Sequence, residues 1–338
     1  MTDAVSVFST CPQSSDSEPA KYCARVTDVA RWSEAAGCKG ILVYSDNRLL
    51  DPWLVSQRII EATERLCPLV AVQPIYMHPY AVAKMVTTFG LLYHRKTYLN
   101  MIAGGFKRDL EALNDLTPHD ERYDRLEEYS TLIVRLLEHS ARGVGYTLEG
   151  KYYSVKGLKI SPPLPAALAP ELFVSGTSEA GQKSATVLDA TAIRYPEPPA
   201  SYEARTFTEH RKNGVRVGII ARATADEAWQ VAEERFPPDR KGEVTHQLAM
   251  KVSDSTWHKQ LSERAIGSRE SDDPYWLRPF QSYQTFCPYL VGSYDRVARE
   301  IARYITAGFR TFIVDIPPDE HELYSSREVF ERAEASAR

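Results

Sequence analysis

Between Leu99 and Tyr123 the chain reads LNMIAGGFKRDLEALNDLTPHDERY, and three of its side chains could do chemistry together. Asn100 closes a short apolar run, while His119 and Tyr123 stand four residues apart at the head of a helix. Helical spacing puts His119 and Tyr123 on one face, where an imidazole and a phenol reach the same ligand. Asp120, Glu121 and Arg122 would then be solvated or ion-paired. The same run also reads as an ordinary charged first turn, with Asp120 and Glu121 complementing the helix dipole. Asn100 suits a ligand-facing strand end, and equally a hydrogen bond within its sheet.

A second constellation is Val174-Ser175-Gly176-Thr177-Ser178, between an apolar run and a helix. Backbone N–H groups at a helix N-terminus, with a glycine and small hydroxyls beside them, make a phosphate cradle. Plain capping of the helix by Thr177 or Ser178 would use the same residue types. Other familiar chemistry is missing. There is no GxSxG, HExxH or Walker motif, and His246, His258 and His321 each stand alone. Neither metal catalysis nor a serine or cysteine hydrolase is expected.

The elements that must position these residues follow from periodicity. Ala4–Ser9, Gly40–Tyr44, Pro68–Gln73, Lys96–Ile102, Leu172–Ser175, Thr191–Arg194, Val215–Ala221 and Arg310–Asp315 read as strands, several of them continuous apolar runs suited to a parallel sheet. Helices are predicted over Lys21–Ala36 (stopped by Gly37), Pro52–Thr63 (capped by Asp51), Pro79–Leu92, Pro118–Leu137, Ser178–Leu188, Ser201–Lys212, Asp226–Arg235 and Ser293–Ala307. Eight strands alternating with helices predict an α/β fold, a TIM barrel of one domain over 1–338; a doubly wound open sheet is the alternative. Thr10-Cys11-Pro12 after the first strand is no dinucleotide fingerprint. Two insertions interrupt the alternation. Residues 143–160 (GVGYTLEGKYYSVKGLKI) read as a β-hairpin, and Phe236–Val291 is long enough to be a lid.

Composition narrows the partners. At 338 residues, with 43% hydrophobic and 25% charged residues and a formal net charge of -4, the chain is an ordinary soluble type with no basic surplus for nucleic acid. Five cysteines, odd in number and without a CxxC pair, fit a reduced compartment. No apolar run reaches membrane-spanning length. A cytoplasmic location is expected.

Taken in order, LNMIAGGFKRDLEALNDLTPHDERYDRLEEY, LEGKYYSVKGLKI and PELFVSGTSEAGQKSA resemble the bacterial luciferase-like flavin monooxygenases, nearest the alkanesulfonate branch. The resemblance implies a TIM barrel, usually a homodimer or homotetramer. It implies reduced FMN and O₂ as co-substrates, with the flavin made by a separate NAD(P)H-dependent reductase and sheltered from water. Asn100, His119, Tyr123, Ser175, Gly176, Thr177 and Ser178 match flavin-binding positions. Arg216 matches a catalytic arginine of the sulfonate enzymes, and Arg278 is the candidate for their lid arginine. Three positions depart from that branch: Gly218 stands where it has a catalytic histidine, Leu49 or Leu50 where it has a cysteine, and Pro317 where it has a tyrosine. With one well-placed cation left, an alkanesulfonate is not expected as substrate, and Gly218 is expected to open space for a larger molecule. The alternatives are F420-dependent hydride transfer on the same fold and a non-catalytic flavin-binding protein.

Overall fold

The computed structural model describes residues 4–104, 107–203, 212–242 and 273–337. In chain order the elements are β1 (Ser6–Thr10), α1 (Pro19–Ala35), β2 (Gly40–Val43), α2 (Pro52–Ala62), β3 (Cys67–Val72), α3 (Pro79–Tyr93), β4 (Tyr98–Met101), α4 (Lys107–Ala112) and α5 (His119–Ala141). A hairpin follows, β5 (Tyr146–Glu149) and β6 (Ser154–Leu158), then β7 (Leu172–Ser175), α6 (Glu179–Val187), β8 (Thr191–Arg194), α7 (Ala200–Glu203), β9 (Asn213–Arg222) and α8 (Ala225–Arg235). The last elements are β10 (Tyr275–Trp276), α9 (Arg278–Gln281), β11 (Tyr289–Ser293), α10 (Tyr294–Thr306), β12 (Phe309–Val314) and α11 (Glu320–Ser336). Strands β1, β2, β3, β4, β7, β8, β9 and β12 alternate with helices, and the fold is the TIM barrel that the alternation predicts.

The chain divides into two compact units: residues 11–31 with 39–192, and residues 1–10 with 32–38 and 193–338. Helix α1 begins in the first and ends in the second.

In the first unit β2, β3, β4 and β7 pair in parallel, with Ala71 opposite Asn100 and Asn100 opposite Phe173. Asp51 caps α2 through Oδ1, which accepts from the N–H groups of Trp53 and Leu54 at 3.0 Å each. Helix α5 buries Leu126, Tyr129, Ile133, Leu136 and Leu137, the helical stripe that holds it to the core. Each such side chain, fully buried, contributes about 1.5–3 kcal/mol. Glu128 on the same helix receives the hairpin: its carboxylate accepts from the N–H groups of Lys151 (2.9 Å), Tyr152 (2.9 Å) and Tyr153 (2.6 Å).

In the second unit β12 pairs with β1 and with the first half of β9, while β11 pairs with the second half of β9. Val215, Val217, Ile219 and Ala221 of β9 pack in one cluster with Val297, Ile301 and Tyr304 of α10 and Phe330 of α11. By strand alternation Arg216 and Gly218 point the other way. Helix α8 starts in a capping box between Thr224 and Glu227.

Several elements differ from the sequence expectation. Short α4 and long α11 are additional, since six residues carry too little periodicity and the last helix follows a proline-rich turn. The tail of the expected lid is not loop: Tyr289–Ser293 is a strand in register with β9, Tyr289 opposite Gly218. Residues 243–272 of that expected lid, and 204–211 of the helix expected to Lys212, lie outside the described residues.

Candidate functional site

The cradle lies within the first unit, at the end of β7 and the start of α6. Ser175 is the last strand residue; its Oγ donates to Asn100 Oδ1 at 2.8 Å, tying β7 to β4 at the level where both strands end. Asn100 is 4% exposed, and that bond orients its amide. Ser178 is the cap: its Oγ accepts from Gly181 N–H at 3.2 Å. Gln182 Nε2 donates to Gly176 O at 2.7 Å and locks the loop.

Thr177 is left over. Its Oγ1 is buried and has no hydrogen-bond partner among the described residues. Capping thus accounts for one of the two hydroxyls and not the other. A buried hydroxyl without a partner is costly unless something else binds it.

Tyr123 reaches this loop from the first turns of α5, and the His119 ring stands beside its own, the centroids 5.2 Å apart. The Tyr123 hydroxyl lies where a Cβ on Gly176 would be 2.5 Å away, and it bonds Ser178. Only glycine fits there. Burial raises the Tyr123 pKa, and the Ser178 hydroxyl and the charge of Arg122 pull it back, so the phenol stays a neutral donor. His119 is a third exposed, with Nδ1 2.7 Å from Asp120 Oδ1. The cradle so formed offers helix N–H groups, the Thr177 hydroxyl and the Tyr123 phenol, with the α6 macrodipole behind them. These are the donors a phosphate takes, and the residues fit one.

A cavity of about 270 Å³ opens in the same unit at the ends of β2 and β3. Leu50, Trp53, Val72 and Met77 give it apolar walls, and Asp46 and Gln73 give it polar ones. Ala71, which also lines it, is the register partner of Asn100, so the cavity and the cradle share one end of the sheet.

The second unit holds a buried polar cluster. Arg216 is 5% exposed; its Nη2 donates to Asp315 Oδ1 at 3.2 Å. Asp315 follows β12, and its Oδ2 accepts from the Tyr289 hydroxyl at 2.9 Å. Burial drives the Tyr289 pKa well up and Asp315 adds to it; the neighbouring Cys287 thiol is raised for the same two reasons. Both groups stay protonated at neutral pH.

The expectation that Gly218 opens space is wrong. A Cβ on Gly218 would meet three ring carbons of Tyr289 at 2.3–2.5 Å, so the phenol fills the volume. Arg278, at the start of α9, donates from Nη2 to Phe236 O at 3.1 Å and lies over the Trp276 ring at 5.0 Å. Sequence reading missed Tyr289 and Asp315. The run Tyr-Leu-Val-Gly-Ser before a capped helix was a strand signal, and Asp315 is the polar residue at a barrel strand's C-terminal end.

Among the described residues no group of three or more histidine, cysteine, aspartate or glutamate side chains is placed to hold a metal, and no helix is long and apolar enough to cross a membrane.

Comparison with known proteins gives a consistent answer. The family model described as luciferase-like monooxygenase matches residues 4–311. The chain is 34% identical over 293 residues, 85% of its own length and 84% of the relative's, to the 4-(gamma-L-glutamylamino)butanoyl-[BtrI acyl-carrier protein] monooxygenase BtrO of Niallia circulans. Among solved structures it resembles the EDTA monooxygenase EmoA from Chelativorans sp. BNC1 (TM-score 0.76, 16% identity, 99% of this chain and 95% of that one). The long-chain alkane monooxygenase LadA is similar to the same degree (TM-score 0.75, 17% identity, 99% and 92%).

Proposed function

Because the chain belongs to the luciferase-like monooxygenase family, we propose that it is the oxygenase of a two-component system that uses reduced FMN and O₂ to oxygenate a small organic molecule. The observation that carries the cofactor half is the buried, unpartnered Thr177 hydroxyl beside a glycine that only a bare backbone can occupy. When bound, reduced FMN supplies the two electrons that activate O₂, one oxygen atom going to the substrate and the other to water.

The residues of the cradle would hold the phosphate: Thr177 and Tyr123 as side-chain donors, the first turn of α6 through its N–H groups. Asn100, oriented by Ser175, would face the ring end of the cofactor. His119 would close the mouth of the cradle. Arg216 and Arg278 are proposed to act on the substrate side. A separate NAD(P)H-dependent reductase would deliver the flavin.

For the substrate, the relative BtrO acts on an acyl group carried by an acyl-carrier protein. We propose an acyl-type substrate here as well, a small chain that the cavity's apolar walls would accept.

The cofactor half is tested by comparing FMN with riboflavin and with F420. FMN is expected to bind about tenfold or more tighter than riboflavin, the worth of hydrogen bonds to a charged phosphate. Equal affinity for FMN and riboflavin, or tighter binding of F420, would overturn it. The reaction is tested by supplying chemically reduced FMN and ¹⁸O₂ with a carrier-bound acyl chain. One labelled oxygen in the product is expected, and its absence with every acyl substrate tried would sink the assignment.

A further inference from the structure

By the resemblance drawn from the sequence, Arg216 is the one well-placed cation for an anionic head group. The structure adds what stands next to it. Both oxygens of Asp315 are used: Oδ1 accepts from Arg216 Nη2 at 3.2 Å and Oδ2 from the Tyr289 hydroxyl at 2.9 Å. A carboxylate bridging a guanidinium and a phenol makes the contacts that two oxygens of a sulfonate or carboxylate head group would make.

We infer that Asp315 is a built-in counter-anion, holding the place at Arg216 that a substrate's anionic head group would take and so restricting the substrate's end group to an uncharged one. It rests on the proposed oxygenase reading, in which Arg216 serves the substrate side.

Three features fix Asp315 in that role. The guanidinium and carboxylate side chains are only 6% and 8% exposed, so neither finds its counter-charge in water. The Tyr289 ring lies against Gly218, whose missing Cβ gives it room, and this anchors the hydroxyl that holds Oδ2. Among the described residues, Arg222 and Arg235 have an acid of their own, both pairing with Glu322. An incoming anion would therefore have to displace Asp315 and bury an uncompensated negative charge. Glycine at 218 is thus the complement of tyrosine at 289, and the pair exchanges an anion-binding site for a closed one.

The test removes the counter-anion from the full chain. Asp315→Ala leaves a carboxylate-sized space beside Arg216. Formate is expected to raise the melting temperature of this variant saturably and to leave the wild type unchanged. Calorimetric titration with butane-1-sulfonate is expected to show about tenfold tighter binding to Asp315→Ala than to wild type, while butan-1-ol binds both alike. Arg216→Met in the Asp315→Ala background is expected to abolish both anion effects. Equal anion responses in wild type and Asp315→Ala, or responses that survive Arg216→Met, would overturn the inference. Should Asp315→Ala fail to fold, Asp315→Asn keeps the volume and removes the carboxylate's charge beside Arg216. Its melting temperature is then expected to rise with sulfate where the wild type's does not, and a flat response counts against the inference. Turnover with reduced FMN and a neutral acyl substrate is measured separately. Its absence beside intact anion effects would fail the oxygenase reading and leave the counter-anion standing.

Discussion

Thr177 and Gly176 show how a residue's meaning depends on what its neighbour has already done. Ser178 meets the helix's need for a cap, so the Thr177 hydroxyl has no structural duty left. Thr177→Val, which keeps the shape and removes the hydroxyl, is expected to leave the melting temperature within about 1 °C or raise it, since a buried unpaired polar group is lost. The same variant should weaken FMN binding about tenfold without touching riboflavin binding, as read by fluorescence titration. Gly176→Ala is a packing test. Its Cβ would meet the Tyr123 hydroxyl oxygen at 2.5 Å and the ring carbon behind it at 3.5 Å, so the clash is with the hydroxyl alone. Overpacking of this kind costs about 1–3 kcal/mol. In the Tyr123→Phe background the alanine should cost much less, and a double-mutant cycle by denaturant unfolding reads the difference. Sequence spacing placed His119 and Tyr123 on one face, because helical geometry is local. It could not show that Gly218 is filled, because the ring that fills it comes from a distant strand.

Among the elements, those legible in advance carry their instructions in their own residues: Asp51-Pro52 starting α2, Thr224 and Glu227 starting α8, continuous apolar runs for the parallel strands. Strand β11 was hidden because only five residues, two of them Gly and Ser, sit inside a long charged and aromatic stretch. Its place is set by pairing with β9. The hairpin was legible from its turn residues, but its anchor was not. Glu128→Ala removes an acceptor shared by three backbone donors and should cost about 1–3 kcal/mol, with faster proteolysis between Glu149 and Ser154 as the readout. The turn before α5 contributes a pH dependence. Burial works to raise the Asp115 pKa, but bonds from Arg125 (2.5 Å) and from Thr117 outweigh it, and the carboxyl sits below its ordinary value. A depressed folded pKa means the contribution is full above the unfolded value of about 4 and fades as pH falls through the folded one. The melting-temperature gap between wild type and Asp115→Asn should be constant from pH 7 to about 5 and shrink at lower pH.

For the whole molecule, two compact units share one chain that crosses between them inside α1, and the family model spans both. We propose that they behave as one domain, so that far-ultraviolet dichroism and tryptophan fluorescence should report one coincident thermal transition; separated transitions would refute this. Cysteine accessibility gives a parallel reading. Cys23 is exposed, whereas Cys11 and Cys287 are buried, the Cys11 thiol pushed up to about 12 by that burial. Native protein should give Cys23 promptly to a thiol reagent at pH 8, and release Cys11 and Cys287 only at the rate of global unfolding. The order of synthesis follows from the same architecture. The first unit ends at Ala192 and can assemble from what has already left the ribosome. In the other unit Ser6 lies opposite Thr311, so this pairing joins an early strand to a late one. That register therefore closes only after everything between Ser6 and Thr311 has been synthesised, and until then the edge of β1 that takes β12 stays an open strand edge.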